Sequence, residues 1–419
     1  MKHAVLWLSA LLCMAAAPLP AWAAPTYTVT VIGSAGGAAY GINSTGQVVG
    51  ALAAGTDRHA FYFDGITVND LGTLGGANSV AWGINDSGTV VGRSQTGPDQ
   101  LQGFSYANGV VTALPSALYD ARAINHAGTI VGTGFFPDGQ GSGVTRAYTY
   151  AGGVVTDLGI LPGNDGEVSY GYGINNAGIA VGAVEVGGAP NRPTDPFRFS
   201  GGVMQNLGNF DGVFGAAHAV NEAGQVVGSA GAPYIGDGNV YPEKSFLWQN
   251  GVLQALGELI PNGNSVAYDI NNAGLIVGSA DAGDGTRGFL SAGAGLVALD
   301  TLIDPGAGWT ITAANGINDL QQIAATACSL AGCFAVRLDL APVPEPAQAA
   351  MLGLGLLALC GPALRRRMAR FGRYDALKAK ARRLMVLAAT MKTPLPLSCS
   401  VSGCAGRVVT CASTTSIRK

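Results

Sequence analysis

Three carboxylates, Asp86, Glu222 and Asp319, each stand directly after an asparagine in a twelve-residue phrase that recurs along the chain. Equivalent positions of a repeat fall on one rim of the assembled molecule, so these acids could supply the acid and base of glycoside hydrolysis. No pair stands out, however, from the 25 Asp and Glu between residues 24 and 346. The histidines are equally scattered: His126 and His218 flank the repeat asparagine in different copies, and His59 lies apart. That placement fits turn and surface variation better than a site. Asp281, Asp284 and Gly285, and the run Asn164, Asp165, Gly166 and Glu167, have the residue types of a Ca²⁺ loop. Neither completes the ligand pattern, and solvated turns explain them better. No nucleophile elbow, zinc-binding helix, phosphate-binding loop or C-x-x-C pair occurs. No catalytic residue, metal or cofactor is expected. A different chemistry is open to Phe135, Phe136, Tyr234 and Tyr241, which sit in long variable segments rich in Gly, Asn and Asp. Such rings could stack on sugars, or could equally pin the loops to the scaffold.

The elements that position these residues follow from the repeat. Its asparagines are Asn43, Asn85, Asn125, Asn175, Asn221, Asn271 and Asn318, spaced 42, 40, 50, 46, 50 and 47 apart. The first copy reads AYGINSTGQVVG at residues 39–50, and the seventh, degenerate copy reads ANGINDLQQIAA at residues 314–325. Each phrase is strand, turn, strand: an apolar run enters Asn, Gly follows three residues on, and β-branched residues resume. Asn supports an Asx turn and Gly supplies positive φ. A second hairpin follows in each period, as in HAFYFDGITVNDLG at residues 59–72, with Asp64-Gly65, Asn108-Gly109, Gly152-Gly153 and Asn250-Gly251 as two-residue turns. Four short strands per period of about 46 residues predict a propeller blade.

The chain ends agree with a ring. Copy seven has three strands before a Pro-rich segment, and residues 26–37 match the fourth-strand ending at residues 67–76. The expected fold is therefore all-β, a seven-bladed β-propeller over residues 24–341 closed by the N-terminal strand. A β-solenoid is the rival. The recurrent Asn could instead form a sevenfold ligand site, but turn chemistry accounts for it more simply.

Composition bounds the setting. Of 419 residues 64 are Gly and 12% are charged, which suits many short strands and turns. Residues 24–346 hold 9 Lys and Arg, whereas residues 365–419 hold 13 against one acid, Asp375. An acidic, Lys-poor body excludes nucleic acid as a natural partner. Residues 1–23 read as a signal peptide with an A-x-A site at residues 21–23. Cys328 and Cys333, the two cysteines of the body, suit a disulfide across a hairpin loop in an oxidising compartment.

The phrase G-I-N-x-x-G-x-V-V-G and the A-F/Y-x-Y…G…D-L-G hairpin resemble the HAF-type extracellular repeat of secreted bacterial proteins. The resemblance covers about residues 26–341 and implies no defined activity. Further on, Pro344, Glu345 and Pro346 (with residues 342–346 as linker) precede an apolar stretch at residues 347–364 and then Arg365, Arg366 and Arg367. This is similar to the PEP-CTERM sorting signal. It implies an exosortase-type partner, an inner-membrane intermediate and a final place at the surface of, or outside, a Gram-negative cell. By physics alone, eighteen mostly apolar residues just span a bilayer as a transmembrane helix, and three arginines hold the far end inside. An ordinary tail anchor would look alike without the Pro-Glu-Pro. The basic tail at residues 365–419 departs from the pattern, since such signals end soon after their arginines. The function expected is a non-enzymatic extracellular or biofilm-matrix binding or structural protein, with exopolysaccharide as a partner. The alternative is a secreted carbohydrate-active hydrolase or lyase using rim carboxylates.

Overall fold

A computed structural model describes residues 26–137, 143–162, 167–187, 192–233 and 242–341. The expected signal peptide, Tyr234 and Tyr241, and the whole segment from Pro344 through Arg367 to residue 419 lie outside the described residues. Among the described residues no helix is long and apolar enough to cross a membrane.

The fold is all-β, with seven four-stranded antiparallel sheets. β1 (Tyr27–Ile32) comes first. Blade one is β2 (Ala38–Ile42), β3 (Val48–Ala54), β4 (Asp57–Phe63) and β5 (Val68–Gly72). Blade two is β6 (Ser79–Ile84), β7 (Val90–Gly97), β8 (Gln100–Ala107) and β9 (Val110–Ala113). Blade three is β10 (Leu118–Ile124), β11 (Ile130–Pro137), β12 (Gly143–Ala151) and β13 (Val154–Asp157). Blade four is β14 (Ser169–Ile174), β15 (Ala180–Glu185), β16 (Thr194–Ser200) and β17 (Val203–Asn206). Blade five is β18 (Gly215–Val220), β19 (Val226–Gly231), β20 (Glu243–Gln249) and β21 (Val252–Ala255). Blade six is β22 (Ser265–Ile270), β23 (Ile276–Ala282), β24 (Gly285–Ser291) and β25 (Val297–Ala298). Blade seven is β26 (Thr310–Ile317), β27 (Ile323–Ser329) and β28 (Gly332–Leu340), with β1 paired antiparallel to β28 from Tyr27↔Leu340 to Ile32↔Ala335.

The Val-Val pair of the repeat explains how blades stack. Adjacent strand residues point to opposite faces. Val48 packs with Ile32, Ala324 and Ala335 of blade seven, while Val49 packs with Ala81 and Phe104 of blade two. Each blade is thus apolar on both faces, and the core is divided into seven clusters between neighbours rather than gathered at one centre. The cluster between blades seven and one, and a hydrogen bond from Asn318 Nδ2 to the Asn43 carbonyl at 3.0 Å, show that the last copy meets the first. The ends of a solenoid would not touch.

The glycine closing each phrase has a packing reason. Gly50, Gly92, Gly132, Gly182, Gly228 and Gly278 pair across the sheet with Phe61, Phe104, Tyr148, Phe197, Phe246 and Phe289. An added Cβ on Gly50 would strike the Ala38 carbonyl oxygen of the preceding strand and meet Phe61 Cε1 at 2.8 Å. Blade seven departs on both sides: Ala325 stands opposite Val336, and β26 carries a second register shift between Ile311 and Ala313.

Its turn is less well compensated. Six copies place Gly at positive φ three residues after Asn, but copy seven places Gln321 there at φ 62°. A side chain in the left-handed region is strained by about 1–2 kcal/mol. Gln321→Gly should therefore raise the stability in a urea titration by about 1 kcal/mol.

Candidate functional site

The innermost strands β2, β6, β10, β14, β18, β22 and β26 line an axial channel, and one phrase builds its wall in three tiers. The repeat asparagines ring one mouth. Next come Ile42, Ile84, Ile124, Ile174, Val220, Ile270 and Ile317. Beyond them, three positions before each Asn, stand Tyr40, Trp82, Arg122, Tyr172, His218, Tyr268 and Asn315, which line a cavity of about 300 Å³.

The asparagine tier is structural, and it does more than turn the chain. Each Oδ1 accepts the backbone N–H four residues on, as from Gln47 at 2.9 Å and Ile179 at 2.9 Å. Each Nδ2 donates to the carbonyl of the next copy's asparagine: Asn43 to Asn85, Asn85 to Asn125, Asn125 to Asn175, Asn175 to Asn221, Asn221 to Asn271, Asn271 to Asn318, and Asn318 back to Asn43. The result is a closed hydrogen-bonded circle of buried amides. With Oδ1 and Nδ2 both engaged, the circle offers a ligand little.

The rim acids are engaged in the same way. Asp86 accepts the Ser44 N–H at 3.0 Å, Glu222 that of Asn176 at 3.1 Å, and Asp319 that of Asn272 at 2.8 Å. They belong to blades two, five and seven, so no two sit on adjacent blades. His126 stands at the same mouth, where its own N–H bonds Asn176 Oδ1 at 2.8 Å. His59 lies away from the channel and meets Asp70 at 2.9 Å. Asp284 pairs with Arg287 at 2.6 Å, and Asp281 accepts from Asn264 at 3.0 Å. Among the described residues no three metal-ligating side chains cluster.

The long-loop aromatics divide. Phe136 packs against the blade-three core. Phe135 is 54% exposed, yet its ring covers Gly143 across the strand pair. Of these two described rings, Phe136 thus anchors the loop and Phe135 offers surface. Cys328 and Cys333 lie opposite each other on β27 and β28 and are joined by a disulfide with S–S 2.05 Å.

The third tier was missed by the strand alternation, because every copy carries a β-bulge there. Pairing steps from Ala39 to Gly41, Ala81 to Gly83, Ala121 to Ala123, Gly171 to Gly173, Ala217 to Ala219, Ala267 to Asp269 and Ala314 to Gly316. In each case the skipped residue is the tier residue. A bulge re-aims one side chain, and here it turns all seven toward the axis. The small residue that follows permits close approach: a Cβ on Gly41 would meet the Trp82 carbonyl at 2.7 Å. The readable signal was variation. Tyr, Trp, Arg, Tyr, His, Tyr and Asn occupy one slot between neighbours that barely change.

The rings touch around the wall. Tyr40 lies 4.7 Å from Trp82, Tyr172 5.4 Å from His218, and His218 5.8 Å from Tyr268, measured between centroids. Arg122 fills the gap, its guanidinium carbon 4.3 Å from the Trp82 centroid and 5.6 Å from that of Tyr172. Asp120 fixes this arrangement from behind, accepting Trp82 Nε1–H at 3.1 Å and Arg122 Nε–H at 2.6 Å.

Two channel groups have displaced titrations. Burial, helped by the Arg122 charge, pushes His218 down to about 4. Asp269 stands where other blades have Gly or Ala; burial pushes its carboxyl up to about 7, against the opposing effect of N–H groups from Ile317 and Ile270. Their consequences for stability have opposite signs. Between about pH 4 and 6.5 the unfolded chain protonates a histidine that the folded chain keeps neutral, so His218 makes stability rise with pH. The folded chain retains a proton on Asp269 that the unfolded chain has lost, so Asp269 makes stability fall from about pH 4 to 7. The slopes offset each other in the native protein. Asp269→Ala should give a urea midpoint that climbs from about pH 4.5 to 6.5, and His218→Asn one that declines. Parallel flat profiles would reject both assignments.

No protein-family model matches the chain, and no curated protein is significantly similar to it. Solved structures are similar at a distance, a propeller domain among them. The β-propeller domain of the trilobed protease of Pyrococcus furiosus is 10% identical, covering 74% of this chain and 99% of that one, with TM-score 0.47. The acylaminoacyl peptidase of Pyrococcus horikoshii is 12% identical with TM-score 0.48; the match covers 74% of this chain but 53% of that one. A fucose-specific lectin from Aleuria aurantia is 11% identical, covering 77% and 99%, with TM-score 0.30. These likenesses are of general architecture and carry nothing about activity.

Proposed function

We propose that this chain is an exported, non-enzymatic binding module of the cell surface or extracellular matrix, and that its axial channel holds a sugar ring of an extracellular polysaccharide. The observation that carries this reading is the third tier. Seven bulges bring seven side chains of five kinds, four of them Tyr or Trp, into one cavity of about 300 Å³, while the rest of the phrase stays nearly constant. Aromatic faces with a few polar groups suit a small-molecule site. Trp82 provides the readout: its fluorescence should change on titration with sugars released from the organism's own exopolysaccharide, and Trp82→Phe should abolish the change. A signal that survives in Trp82→Phe would place binding elsewhere.

The β1–β28 pairing is read as the clasp that keeps the ring shut. The ends of the sequence support the export route: a signal peptide over residues 1–23, and an exosortase partner acting at residues 344–346 before the apolar stretch and arginines. Mass spectrometry of the exported protein should find residue 24 as the N-terminus and no peptide from residues 370–419. A product that retains those peptides points to a simple tail anchor.

One observation favours a second reading, a secreted carbohydrate-active enzyme. Burial pushes the Asp269 carboxyl, in the channel wall, up to about 7, so that below neutral pH it can carry the proton a general acid needs. Reducing ends released from the polymer by the wild-type protein and absent with Asp269→Asn would establish it.

A further inference from the structure

We infer that the channel site selects a ring carrying a carboxylate, a hexuronic acid residue, and that Arg122 is the residue that reads the charge. The inference rests on the channel being the binding site and adds which ligand it takes.

The geometry leaves Arg122 half used. Its Nε is committed to Asp120 Oδ2 at 2.6 Å, and its plane is stacked against Trp82 and Tyr172. Neither terminal nitrogen has an acceptor among the described residues, and neither is a buried unsatisfied atom, so both face the open lumen. A guanidinium fixed by stacking and one hydrogen bond has already lost its rotamer freedom. Its free edge presents two parallel N–H donors, the shape that matches a carboxylate.

The local charge agrees. The single carboxylate of Asp120 lies between two guanidiniums, with Arg93 Nη1 at 3.8 Å from the oxygen that Arg122 also uses. One acid cannot neutralise both, so the pair of arginines leaves a positive surplus beside the cavity. This is unusual in a body with 9 basic against 25 acidic residues between positions 24 and 346. The other carboxyl of the channel wall, Asp269, spends both oxygens on the Ile270 and Ile317 N–H groups and is held up to about 7 by burial, so below that pH an uncharged sugar would leave the surplus largely uncompensated in a partly enclosed space.

Size and the remaining wall point to a sugar acid rather than a chain-like acid. A cavity of about 300 Å³ has room for one substituted six-membered ring. Opposite Arg122 on the ring stand Tyr268 and Asn315, flanked by His218 and Tyr40, and all four line the same cavity with polar groups suited to ring hydroxyls.

The test uses the purified exported protein, followed by calorimetry and Trp fluorescence, with three probes: glucuronate, methyl glucoside as its uncharged counterpart, and benzoate as a ring acid without hydroxyls. Glucuronate should bind at least tenfold more tightly than either of the others, and its affinity should fall as salt is raised. Arg122→Gln should remove that preference, weakening glucuronate at least tenfold while methyl glucoside is unchanged. Arg122→Lys, which keeps the charge but not the fork, should fall between. Equal affinity for glucuronate and methyl glucoside would overturn the inference and leave the channel as a site for neutral sugars. Tight benzoate with no glucuronate binding would overturn the sugar assignment. Absence of binding by all three would overturn both the inference and the channel reading beneath it. The melting temperature of each variant, compared with that of Tyr40→Phe, shows whether a loss reflects binding or folding.

Discussion

Removal of β1 should cost the propeller roughly 2–5 kcal/mol, the contribution expected from two buried large side chains, Tyr27 and Ile32, less the cost of the unpartnered Tyr27 hydroxyl. That is a large share of the stability of an ordinary domain. The loss has a second part. β28 would present an unpaired row of amide groups, which invites association between molecules. A variant lacking residues 26–33 should therefore show both a lowered urea midpoint and concentration-dependent aggregation. If it melts like the intact protein and stays monomeric, β1 does not act as the clasp.

The second large effect is expected from the amide circle. Asn175→Ala leaves the Ile179 N–H without its partner in a buried site and strips the Asn221 carbonyl of one of its two donors, the Gly224 N–H remaining. The orphaned N–H costs about 1–3 kcal/mol and the lost bond to the carbonyl about 1 kcal/mol, so the variant should lose roughly 2–4 kcal/mol. Asn175→Asp is a sharper probe. It keeps the acceptor for Ile179 but sets a carboxylate against the Asn221 carbonyl, and should be at least as damaging at neutral pH. The exposed neighbour Asn176→Ala loses the bond from the His126 N–H, which water can replace, and should change stability by about 1 kcal/mol or less. Equal midpoints for the two sites would mean the circle contributes nothing beyond the turns.

The contrast between these residues also shows how far the sequence could be read. Blade number, strand order within a blade and turn glycines followed from a phrase repeated seven times, because turn chemistry and alternation are local. The Val-Val pair could be recognised as core; that its members face different neighbouring blades needed the closed ring. Asn43 showed its Asx turn within its own copy, but its second hydrogen bond goes to Asn85, which no single copy contains. Asp86, Glu222 and Asp319 carried the right groups for catalysis and a shared rim. Assembly gave each a backbone N–H from the neighbouring blade instead. The channel tier was the largest omission. Strict alternation assigns the residue three before Asn to a sheet face, and only the bulge shifts it toward the axis. Tyr40, Trp82 and Arg122 therefore read as ordinary strand residues, whereas the loops of Phe135 and Tyr234 stand out by their length and composition.

The pairing of Tyr27 with Leu340, extended by a hydrogen bond from Ala341 N to Thr26 O at 2.8 Å, has a mechanical consequence. The chain enters and leaves the ring at one point, on neighbouring strands that run in opposite directions. A force that pulls residues 26 and 341 apart would peel β1 from β28 one rung at a time and meet little resistance. A force applied through residue 341 alone, against drag on the body, meets β28 along its length. That strand is gripped on both sides, by β1 and β27, and stitched near its start through Cys328–Cys333. The ring is therefore weak when stretched between its ends and strong when towed from one of them, so a tether on the C-terminal side is the mounting it withstands.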